Sequence, residues 1–377
     1  MKIIHIITSL NVGGAEQALK RLLLTTPDAQ RNTLVISLKN LGKIGEGLQS
    51  RGFEVVALNM RSFLAFPVGI FRLYRIIRQF QPDIVQTWLY HADLIGGVVA
   101  KIAGVKCIIW GIRTTELDSG SKLTAWIRKL LALLSYVIPA KIVCVAEASR
   151  NKHIALGYDT PKMVMIGNGF ESEQLQSSPQ QRSELRSSVC LKDEDIVIGT
   201  LGRLSQEKGQ DVFVRSAGMI AQEYSNVRFL MVGRGLEPVD EALMQWINAI
   251  GFADRFVLMG ERRDVAVVLS AMDIFCLPSR SEGFPNVLGE AMAMGLPCVS
   301  TDVGDAGVLL GDTGILVQKD DYEALAVGLK QMLDMSEDER TALGERARLR
   351  VQNEFTLEQM RKKFEAVYTE LLASKGL

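Results

Sequence analysis

Short runs of β-branched and aliphatic residues alternate with longer amphipathic stretches along the first half of the chain. The strand-like runs are KIIHII, TLVISL, EVVALN, DIVQTW, KCIIWG and KIVCVA. Stretches with helical spacing of their apolar positions lie between these runs, and AEQALKRLLLTT is one example. Such alternation is typical of a parallel sheet with helices on both faces. The rhythm stops near residue 166, where a polar run carries Asn-Gly and Pro turn signals.

The second half of the chain starts the same rhythm again. Its strand-like runs are DIVIGTLG, NVRFLMVG, RFVLMG, DIFCLP and PCVST, and the tail after about residue 321 has a helical pattern. The pattern predicts an α/β protein with two Rossmann-like, doubly wound domains that face each other across a cleft. We place the first domain at residues 1–170, the second at 171–355 and a C-terminal helix at 356–377. Ligands of such sheets bind outside the carboxyl ends of the strands.

Charge changes this picture, because the formal net charge of zero hides an asymmetry between the two halves. Residues 1–170 carry 21 Lys and Arg against 10 Asp and Glu, whereas residues 171–377 carry 22 against 33. A basic half is expected to face phosphates or an anionic membrane. We expect no nucleic-acid partner, since no nucleic-acid-binding motif accompanies the charge. A charged fraction of 23% and a hydrophobic fraction of 47% exclude a disordered chain.

The cysteines and the apolar runs bear on the compartment. The five cysteines form no C-x-x-C pair and are odd in number, so we interpret them as small buried residues in a reducing compartment. The N-terminal run lacks a signal-peptide cleavage region, and no run of about 20 apolar residues predicts a membrane span. The sequence predicts a cytoplasmic protein, with peripheral attachment to the inner face of the cell membrane as an open alternative.

The run S-E-G-F-P-N-V-L-G-E at residues 281–290 is the first candidate for chemistry. Proline suits the first turn of a helix, so a helix is expected to begin near Pro285 or Asn286 and to present free backbone amides to an anion. Glu282 and Glu290 can both reach one ligand there, and carboxylates suit sugar hydroxyls because they accept twice from a diol. The alternative is that Glu282 caps the helix and Glu290 is solvated.

Three glycine-containing turns follow strand-like runs. In G-T-L-G-R-L-S-Q-E-K-G, Arg203 and Lys208 follow the strand end, and two cations there can hold a diphosphate without a metal. At Gly233 a second turn lets a flat ring approach the backbone, and the pair Gly13 and Gly14 forms the first strand-to-helix turn of the chain. The alternative for each, taken alone, is an ordinary surface turn.

Together, the Glu-x7-Glu run, the G-R-L-x-x-x-K-G loop, the Gly-Gly turn and the two-domain rhythm resemble the retaining nucleotide-sugar glycosyltransferases of GT-B architecture. The chain is similar to the large family 4-like bacterial group that builds lipopolysaccharide, capsule and other cell-surface glycans. The similarity covers nearly the whole chain, and EGFPNVLGEAMAMGLPCVSTDVG is its most specific part. It implies that the C-terminal helix packs back on the N-terminal domain.

The resemblance implies a role for each matching residue. Arg203 and Lys208 would bind the donor diphosphate, Glu282 would contact hydroxyls of the donor sugar, and Glu290 would bind the ribose diol. His91, in QTWLYHADLIGG, would lie near the transferred sugar and complete the catalytic set with Arg203, Lys208 and Glu282; the alternative for a lone histidine is a core residue. The other expected donor contacts are Gly13, Gly14, Gly202, Gly233, Arg234, Arg263, Phe284, Pro285, Asn286 and Val287.

The expected mechanism needs neither a metal nor a cofactor. The acidic triplet Asp193, Glu194 and Asp195 has the spacing of an Asp-x-Asp metal motif but precedes a strand instead of ending one. Arg203, Lys208 and the helix dipole would do the electrostatic work of a metal. The resemblance implies front-face retention, with no protein nucleophile. It also implies a UDP-linked donor and a lipid-diphosphate-linked or growing glycan as the acceptor.

Two basic, aromatic stretches are candidates for contact with an anionic membrane surface. Arg72 and Arg75 lie in FPVGIFRLYRIIRQF, and SKLTAWIRKLLALL carries Lys122, Trp126 and Lys129 at helical spacing. Cationic and aromatic groups together suit an interface of anionic headgroups. The alternative is two ordinary amphipathic helices with solvated charges.

Two rival functions stay open at this point. A nucleotide-sugar epimerase of the same architecture would convert the donor in the absence of an acceptor. A non-enzymatic, glycosyltransferase-like scaffold subunit would bind no nucleotide, although it has no chemical need for Glu282, Glu290, Arg203 and Lys208.

Overall fold

The computed structural model describes residues 1–60, 62, 65–115, 122–171 and 175–374. The chain divides into two compact units. The first unit comprises residues 1–169 together with 357–377, and the second comprises residues 170–356. The chain therefore leaves the first unit once and returns to it at the C-terminus.

The first unit contains a parallel sheet of seven strands within its described residues. The strands are β1 Ile3–Ile7, β2 Thr33–Ser37, β3 Glu54–Ala57, β4 Ile84–Trp88, β5 Cys107–Ile112, β6 Lys141–Cys144 and β7 Met163–Met165. Their order across the sheet is β3-β2-β1-β4-β5-β6-β7. The helices up to this point are α1 Gly14–Thr25, α2 Ala29–Asn32, α3 Gly42–Gln49, α4 Ala65–Phe80, α5 Tyr90–Ile102, α6 Lys122–Leu134 and α7 Glu147–Ala155.

The second unit repeats this design with six parallel strands within its described residues. The strands are β8 Ile196–Leu201, β9 Val227–Val232, β10 Phe256–Leu258, β11 Ile274–Leu277, β12 Cys298–Thr301 and β13 Ile315–Val317, in the order β10-β9-β8-β11-β12-β13. The helices are α8 Pro179–Ser188, α9 Gln210–Glu223, α10 Glu241–Ala249, α11 Val265–Ser270, α12 Asn286–Ala293, α13 Ala306–Leu310, α14 Tyr322–Asp334 and α15 Glu337–Glu354.

Burial explains why the strands appear in the sequence as nearly unbroken apolar runs. Every residue of β1, β4 and β5 is buried, because helices cover both faces of the sheet. Within each unit the strand order reverses direction once along the chain, between β1 and β4 and between β8 and β11. These reversals are the topological switch points at which open α/β sheets bind ligands.

The last helix, α16 Leu357–Ser374, belongs to the first unit although it ends the chain. Its apolar face carries Phe364 and Tyr368 into the core cluster that also contains Trp88. The Phe364 and Trp88 rings lie 6.0 Å apart, and Tyr368 donates a hydrogen bond to Gln86 on β4. The chain end therefore completes the hydrophobic core of the N-terminal unit.

Some local structure differs from the sequence interpretation. The edge strands β7 and β13 were not predicted, because their short apolar runs MVM and ILV are enclosed by Pro, Gly and charged residues that indicate turns. Helix α8 occupies part of the segment interpreted as a polar break, and the capping box of Ser178 with Gln181 is the signal for it. Cys190 is exposed, contrary to the expectation of buried cysteines, because it lies in the turn between α8 and β8. The other four cysteines are buried as expected.

We predict that Phe364→Ala destabilises the N-terminal unit by about 3–5 kcal/mol, because it removes a fully buried ring from the core. Urea unfolding followed by tryptophan fluorescence measures the loss. Lys363→Ala, which changes an exposed residue of the same helix, is the matched control and should leave the midpoint unchanged. Equal midpoints for the two variants would contradict the role assigned to α16.

Candidate active site

Four neighbouring strands of the second unit each end in a loop with a charged side chain. Across the sheet in the order β10, β9, β8 and β11, the following loops carry Arg263, Arg234, Arg203 and Glu282. The three arginines are exposed, and Glu282 is partly buried. Since adjacent parallel strands lie about 5 Å apart, Arg263, Arg234 and Arg203 follow one another along this edge and end beside Glu282. The same loops also carry Glu237, Glu261 and Asp264.

A direct ion pair joins the two halves of this edge. Lys208 follows β8, and its Nζ lies 2.6 Å from Glu282 Oε1, in the loop after β11. Ser279 donates to the same Glu282 oxygen at 2.7 Å. Both bonds use Oε1, so within the described residues Oε2 is left to accept hydrogen bonds from a ligand. Glu282 is thus held by Lys208 and Ser279, and the alternative that it caps the next helix does not describe this arrangement.

An arginine that the sequence analysis did not single out braces the two loops. Arg280 binds both carboxylate oxygens of Asp211 at 2.7 and 2.6 Å and one oxygen of Asp320 at 2.5 Å. Its backbone amide donates to Glu207 O at 2.8 Å. These bonds raise the pKa of the Arg280 guanidinium and lower the pKa of the Asp211 carboxyl, mainly through the hydrogen bonds between them. The only sequence signal was the position of Arg280 between the β11 run and Glu282.

Two glycines allow these loops to touch. Gly209 has φ +64°, and a Cβ there would lie 2.1 Å from Pro278 O. Gly233 has φ +150°, and a Cβ there would lie 2.0 Å from Gly202 O. The structure therefore gives a reason for Gly233 other than the approach of a ring, because the neighbouring loop fills that space. Gln210 donates to Arg203 O at 2.8 Å and fixes the same loop from the other side.

Helix α12 begins at Asn286 with Pro285 as its N-terminal cap residue, as the sequence predicted. Its first amides, at Asn286 and Val287, and the carboxylate of Glu290 one turn later lie on this short helix. Phe284 is buried and stacks on Phe170, with ring centroids 6.0 Å apart. The Phe170 ring lies so close to α12 that a Cβ on Gly289 would approach it to 2.0 Å. This packing fixes the helix beside the loop that carries Glu282.

In the first unit, the turn after β1 contains Gly13 as the cap of α1 and Gly14 as its first residue. Glu16 reaches back over this turn, and a Cβ on Gly13 would lie 2.5 Å from its Oε2. Burial raises the pKa of the Glu16 carboxyl. No local sequence signal identified this carboxylate, which lies at the turn expected to approach the donor diphosphate.

His91 lies at the other side of the same switch point, in the first turn of α5 after β4. The preceding Leu89 has φ +77°, a strained conformation for leucine, and donates to Gly111 O at 3.0 Å. His91 is partly buried, and burial together with the nearby Lys39 lowers the pKa of its imidazole. It is not a core residue, unlike His5, which is fully buried in β1 as the sequence indicated.

Behind His91 lies a buried polar cluster that was not predicted. Asp93 accepts from Thr87 Oγ1 at 2.5 Å and from the Gly111 amide at 3.2 Å, so it ties β4 to β5 beneath the turn. Tyr90 OH lies 2.7 Å from His153 Nε2, and His153 Nδ1 lies 2.7 Å from Ser149 O. Thr87, Tyr90 and Asp93 stand in a largely apolar stretch, and His153 follows a polar one, so no local signal identified these residues as partners.

Helices α4 and α6 expose the side chains proposed for membrane contact. Arg72, Arg75, Lys122 and Lys129 are exposed, and Trp126 is 65% exposed. Leu133, one turn beyond Lys129, is 72% exposed. Among the helices in the described part of the chain, none has the length and hydropathy of a membrane span. Ser121, which opens the second stretch, lies outside the described residues.

The acidic triplet Asp193, Glu194 and Asp195 lies before β8, at the amino ends of the strands. Asp195 accepts from the Lys192 amide at 2.8 Å and pairs with Arg228 at 3.5 Å. The triplet is therefore at the edge opposite Arg203, Lys208 and Glu282, as its position before a strand predicted.

Comparison with known families covers most of the chain. The family described as Glycosyltransferase Family 4 matches residues 12–174, and the family described as Glycosyl transferases group 1 matches residues 195–335. The chain belongs to the family 4-like glycosyltransferases of GT-B architecture. This confirms the family resemblance stated from the motifs, and the two parallel Rossmann-like sheets confirm the predicted fold class.

Individual relatives of this glycosyltransferase are distant in sequence. The capsular polysaccharide biosynthesis glycosyltransferase CapM of Staphylococcus aureus is 26% identical, over 81% of each chain. The UDP-Gal:alpha-D-GlcNAc-diphosphoundecaprenol alpha-1,3-galactosyltransferase of Escherichia coli is 23% identical, over 81% of this chain and 80% of its own. HepE of Anabaena, solved in complex with UDP, superposes with a TM-score of 0.86 at 21% identity, over 98% of this chain and all of its own. A second HepE structure contains UDP-glucose and has a TM-score of 0.85.

We predict that Asp93→Asn stabilises the N-terminal unit increasingly as the pH rises from 5 to 8. Burial raises the pKa of Asp93 to about 8, so the folded state keeps a proton that the unfolded chain releases near pH 4. The titration of Asp93 therefore lowers the free energy of unfolding of the wild type as the pH rises, by about 1.4 kcal/mol per pH unit at most. Asparagine does not titrate, so the variant does not lose this stability. Urea unfolding at several pH values measures it.

The matched control is Asp28→Asn, since Asp28 is exposed and asparagine tolerates its φ of +52°. A stability difference for this control that does not vary over the same pH range assigns the effect to Asp93 and not to the loss of any carboxylate of the unit. A difference for Asp93→Asn that is equally constant would show that Asp93 is ionised in the folded protein.

Proposed function

We propose that this glycosyltransferase moves a hexose from a nucleoside diphosphate sugar, UDP-linked, to a lipid-linked or growing cell-surface glycan of the lipopolysaccharide, capsule or exopolysaccharide type. The transfer retains the anomeric configuration and needs no metal. The observation that carries the proposal is the contact of Lys208 with Glu282 at the β8/β11 switch point, beside the exposed Arg203.

The contact matches the chemistry of a nucleotide sugar. A diphosphate needs cations, and the sugar attached to it needs hydrogen-bond acceptors for its hydroxyls. Lys208 and Glu282 supply one of each, and their ion pair of 2.6 Å places the cation and the acceptor side by side. Arg203, Arg234 and Arg263 extend the cationic edge along the sheet, and Glu290 on α12 is assigned to the ribose diol.

In the proposed reaction, Arg203, Lys208 and the amides of α12 stabilise the charge that develops on the leaving diphosphate. Glu282 holds hydroxyls of the sugar as it becomes oxocarbenium-like. As the bond between the anomeric carbon and the phosphate oxygen breaks, the acceptor oxygen bonds to that carbon on the same face and gives its proton to the leaving phosphate. The acceptor attacks directly, so no protein nucleophile is required. From the first unit, we assign His91 to the sugar and the Gly13-Gly14 turn to the diphosphate.

The nucleotide and the acceptor class are argued from relatives. The HepE complexes with UDP and UDP-glucose support a uridine nucleotide. The names of the capsular and diphosphoundecaprenol-linked relatives support a cell-surface glycan carried on a lipid diphosphate. Such an acceptor is membrane-bound, so a cytoplasmic enzyme must work at the inner membrane surface.

The exposed faces of α4 and α6 supply the proposed contact with that surface. Trp126 and Leu133 present apolar area to solvent, and Lys122 and Lys129 lie on the same stripe of α6. Arg72 and Arg75 add two cations from α4. Aromatic and basic residues together favour the interface of an anionic bilayer.

We predict that Lys208→Met and Glu282→Gln each reduce kcat/KM for transfer by about 10²–10³-fold, because each removes a charge aimed at the donor. The assay follows transfer from UDP-sugars to a sugar-diphosphate-lipid acceptor in the presence of EDTA, which should leave wild-type transfer unchanged. Lys330→Met breaks a comparable ion pair with Glu223 elsewhere in the same unit and serves as the control. Anomeric analysis of the product by NMR tests retention.

Several outcomes would overturn the proposal. Wild-type transfer by both variants would remove Lys208 and Glu282 from the site, and loss of activity in EDTA would refute metal independence. Conversion of the donor without an acceptor would indicate an epimerase. A chain that binds no nucleotide at all would indicate a scaffold subunit.

We predict that Trp126→Glu weakens binding to vesicles of phosphatidylglycerol and phosphatidylcholine at least fivefold in a sedimentation assay. The substitution places a negative charge where the aromatic ring would enter the headgroup region. Trp246→Glu changes a partly exposed tryptophan of the second unit and should bind like the wild type. If the wild type binds neutral and anionic vesicles equally, or neither, α6 does not contact a membrane through its charge.

A further inference from the structure

Arg113 and Thr115, directly after β5, each carry a polar group without a described hydrogen-bond partner. Arg113 Nη1 and Thr115 Oγ1 are both shielded from solvent and have no hydrogen-bond partner in the described part of the protein. Thr115 as a whole is only 4% exposed. Buried polar groups are almost always paired, so two unpaired donors separated by one residue along the chain require an explanation.

The rest of Arg113 is held firmly. Its guanidinium lies over the Trp88 ring, 5.3 Å from the centroid, and Nη2 donates to Asn168 Oδ1. Ser149 Oγ donates to Thr114 O at 2.7 Å and fixes the backbone between the two residues. Asn168 and Trp88 are neutral, so neither neutralises the guanidinium. Burial accordingly lowers the pKa of Arg113 to about 10.

The position of these groups relates them to the proposed chemistry. Strand β5 is the neighbour of β4, and the Leu89 amide after β4 bonds to Gly111 O on β5. Arg113 therefore leaves the sheet at the edge where His91 leaves it, one strand away. The same edge carries a further buried hydroxyl without a described partner, Thr8 Oγ1, directly after β1.

We propose that Arg113 and Thr115 form a phosphate-binding subsite in the first unit, which takes a phosphate group of a substrate beside His91. The inference deepens the proposed function and rests on it for the identity of the substrate. A phosphate is a pure acceptor when ionised, and both orphans here are donors. A guanidinium binds phosphate with charge-assisted hydrogen bonds, and a hydroxyl adds a neutral one.

The phosphate has two possible sources with the same chemistry. It belongs either to the diphosphate of a lipid-linked acceptor or to the diphosphate of the donor. Calorimetric titration of the full chain with inorganic pyrophosphate, alone and with saturating UDP, separates them. If the wild type binds pyrophosphate while UDP is bound, the subsite belongs to the acceptor. If bound UDP prevents pyrophosphate binding and Arg113→Gln binds UDP more weakly, the subsite belongs to the donor.

The variants come in matched pairs. Arg113→Gln should weaken the affected ligand at least tenfold, and Thr115→Val should weaken it severalfold, while Thr115→Ser keeps the hydroxyl and should bind like the wild type. Arg150→Gln is the control for the loss of an arginine in this unit, because Arg150 already pairs with Glu147 at 2.8 Å. Valine and serine both approximate threonine in size, so this pair keeps the test informative if Arg113→Gln fails to fold.

Unchanged affinity for pyrophosphate and for UDP in Arg113→Gln and Thr115→Val would overturn the subsite. Failure of the proposed function is a separate result. A wild-type chain that transfers no sugar in any assay would refute the function, yet selective loss of pyrophosphate binding in Arg113→Gln and Thr115→Val would still support the subsite.

Discussion

The ion pair between Lys208 and Glu282 is the contact on which the second unit's candidate site depends. An ion pair at 2.6 Å would stabilise the protein little if both side chains were mobile in water. Here both side chains are partly buried, and other contacts fix the loops that carry them. Arg280 joins the loop of Lys208 to the loop of Glu282 through Asp211 and through Glu207 O. The entropy cost of fixing the Lys208 and Glu282 side chains thus falls on folding and not on ligand binding. This is the requirement for electrostatic preorganisation.

Parallel sheets make this arrangement possible and also limit it. Every loop that follows a strand emerges at the same edge, so residues far apart in sequence, such as Arg203 and Glu282, become neighbours. The loops must then pack within the spacing of two strands, and Gly209 and Gly233 satisfy that limit because a Cβ at either would lie about 2 Å from a carbonyl oxygen. Gly209 and Gly233 are therefore required for the packing of these loops, independently of any ligand.

The sequence predicted what depends on periodicity and on strand ends. Both sheets, the start of α12 and the edge that carries Arg203, Lys208 and Glu282 follow from apolar runs and from what comes directly after them. The sequence did not predict the partners that fix these groups, since Arg280 with Asp211 or Asp93 with Thr87 are meetings across the fold. The buried, unpaired state of Arg113 was not predicted for the same reason, because it depends on residues that surround Arg113 in the fold and not on its neighbours in sequence.

Local charge, and not the balance of a whole half, decides where an anion can bind. Residues 171–377 carry an excess of 11 negative charges, and the loops after β9 and β10 include Glu237, Glu261 and Asp264. The loops around β8 nevertheless present four exposed arginines and Lys208. Distant carboxylates act through water and are screened beyond about 8–10 Å at ordinary ionic strength, whereas groups in contact with a phosphate are not. The cations that a phosphate would touch, Arg203 and Lys208 among them, therefore decide its binding more than the excess of carboxylates in residues 171–377 does.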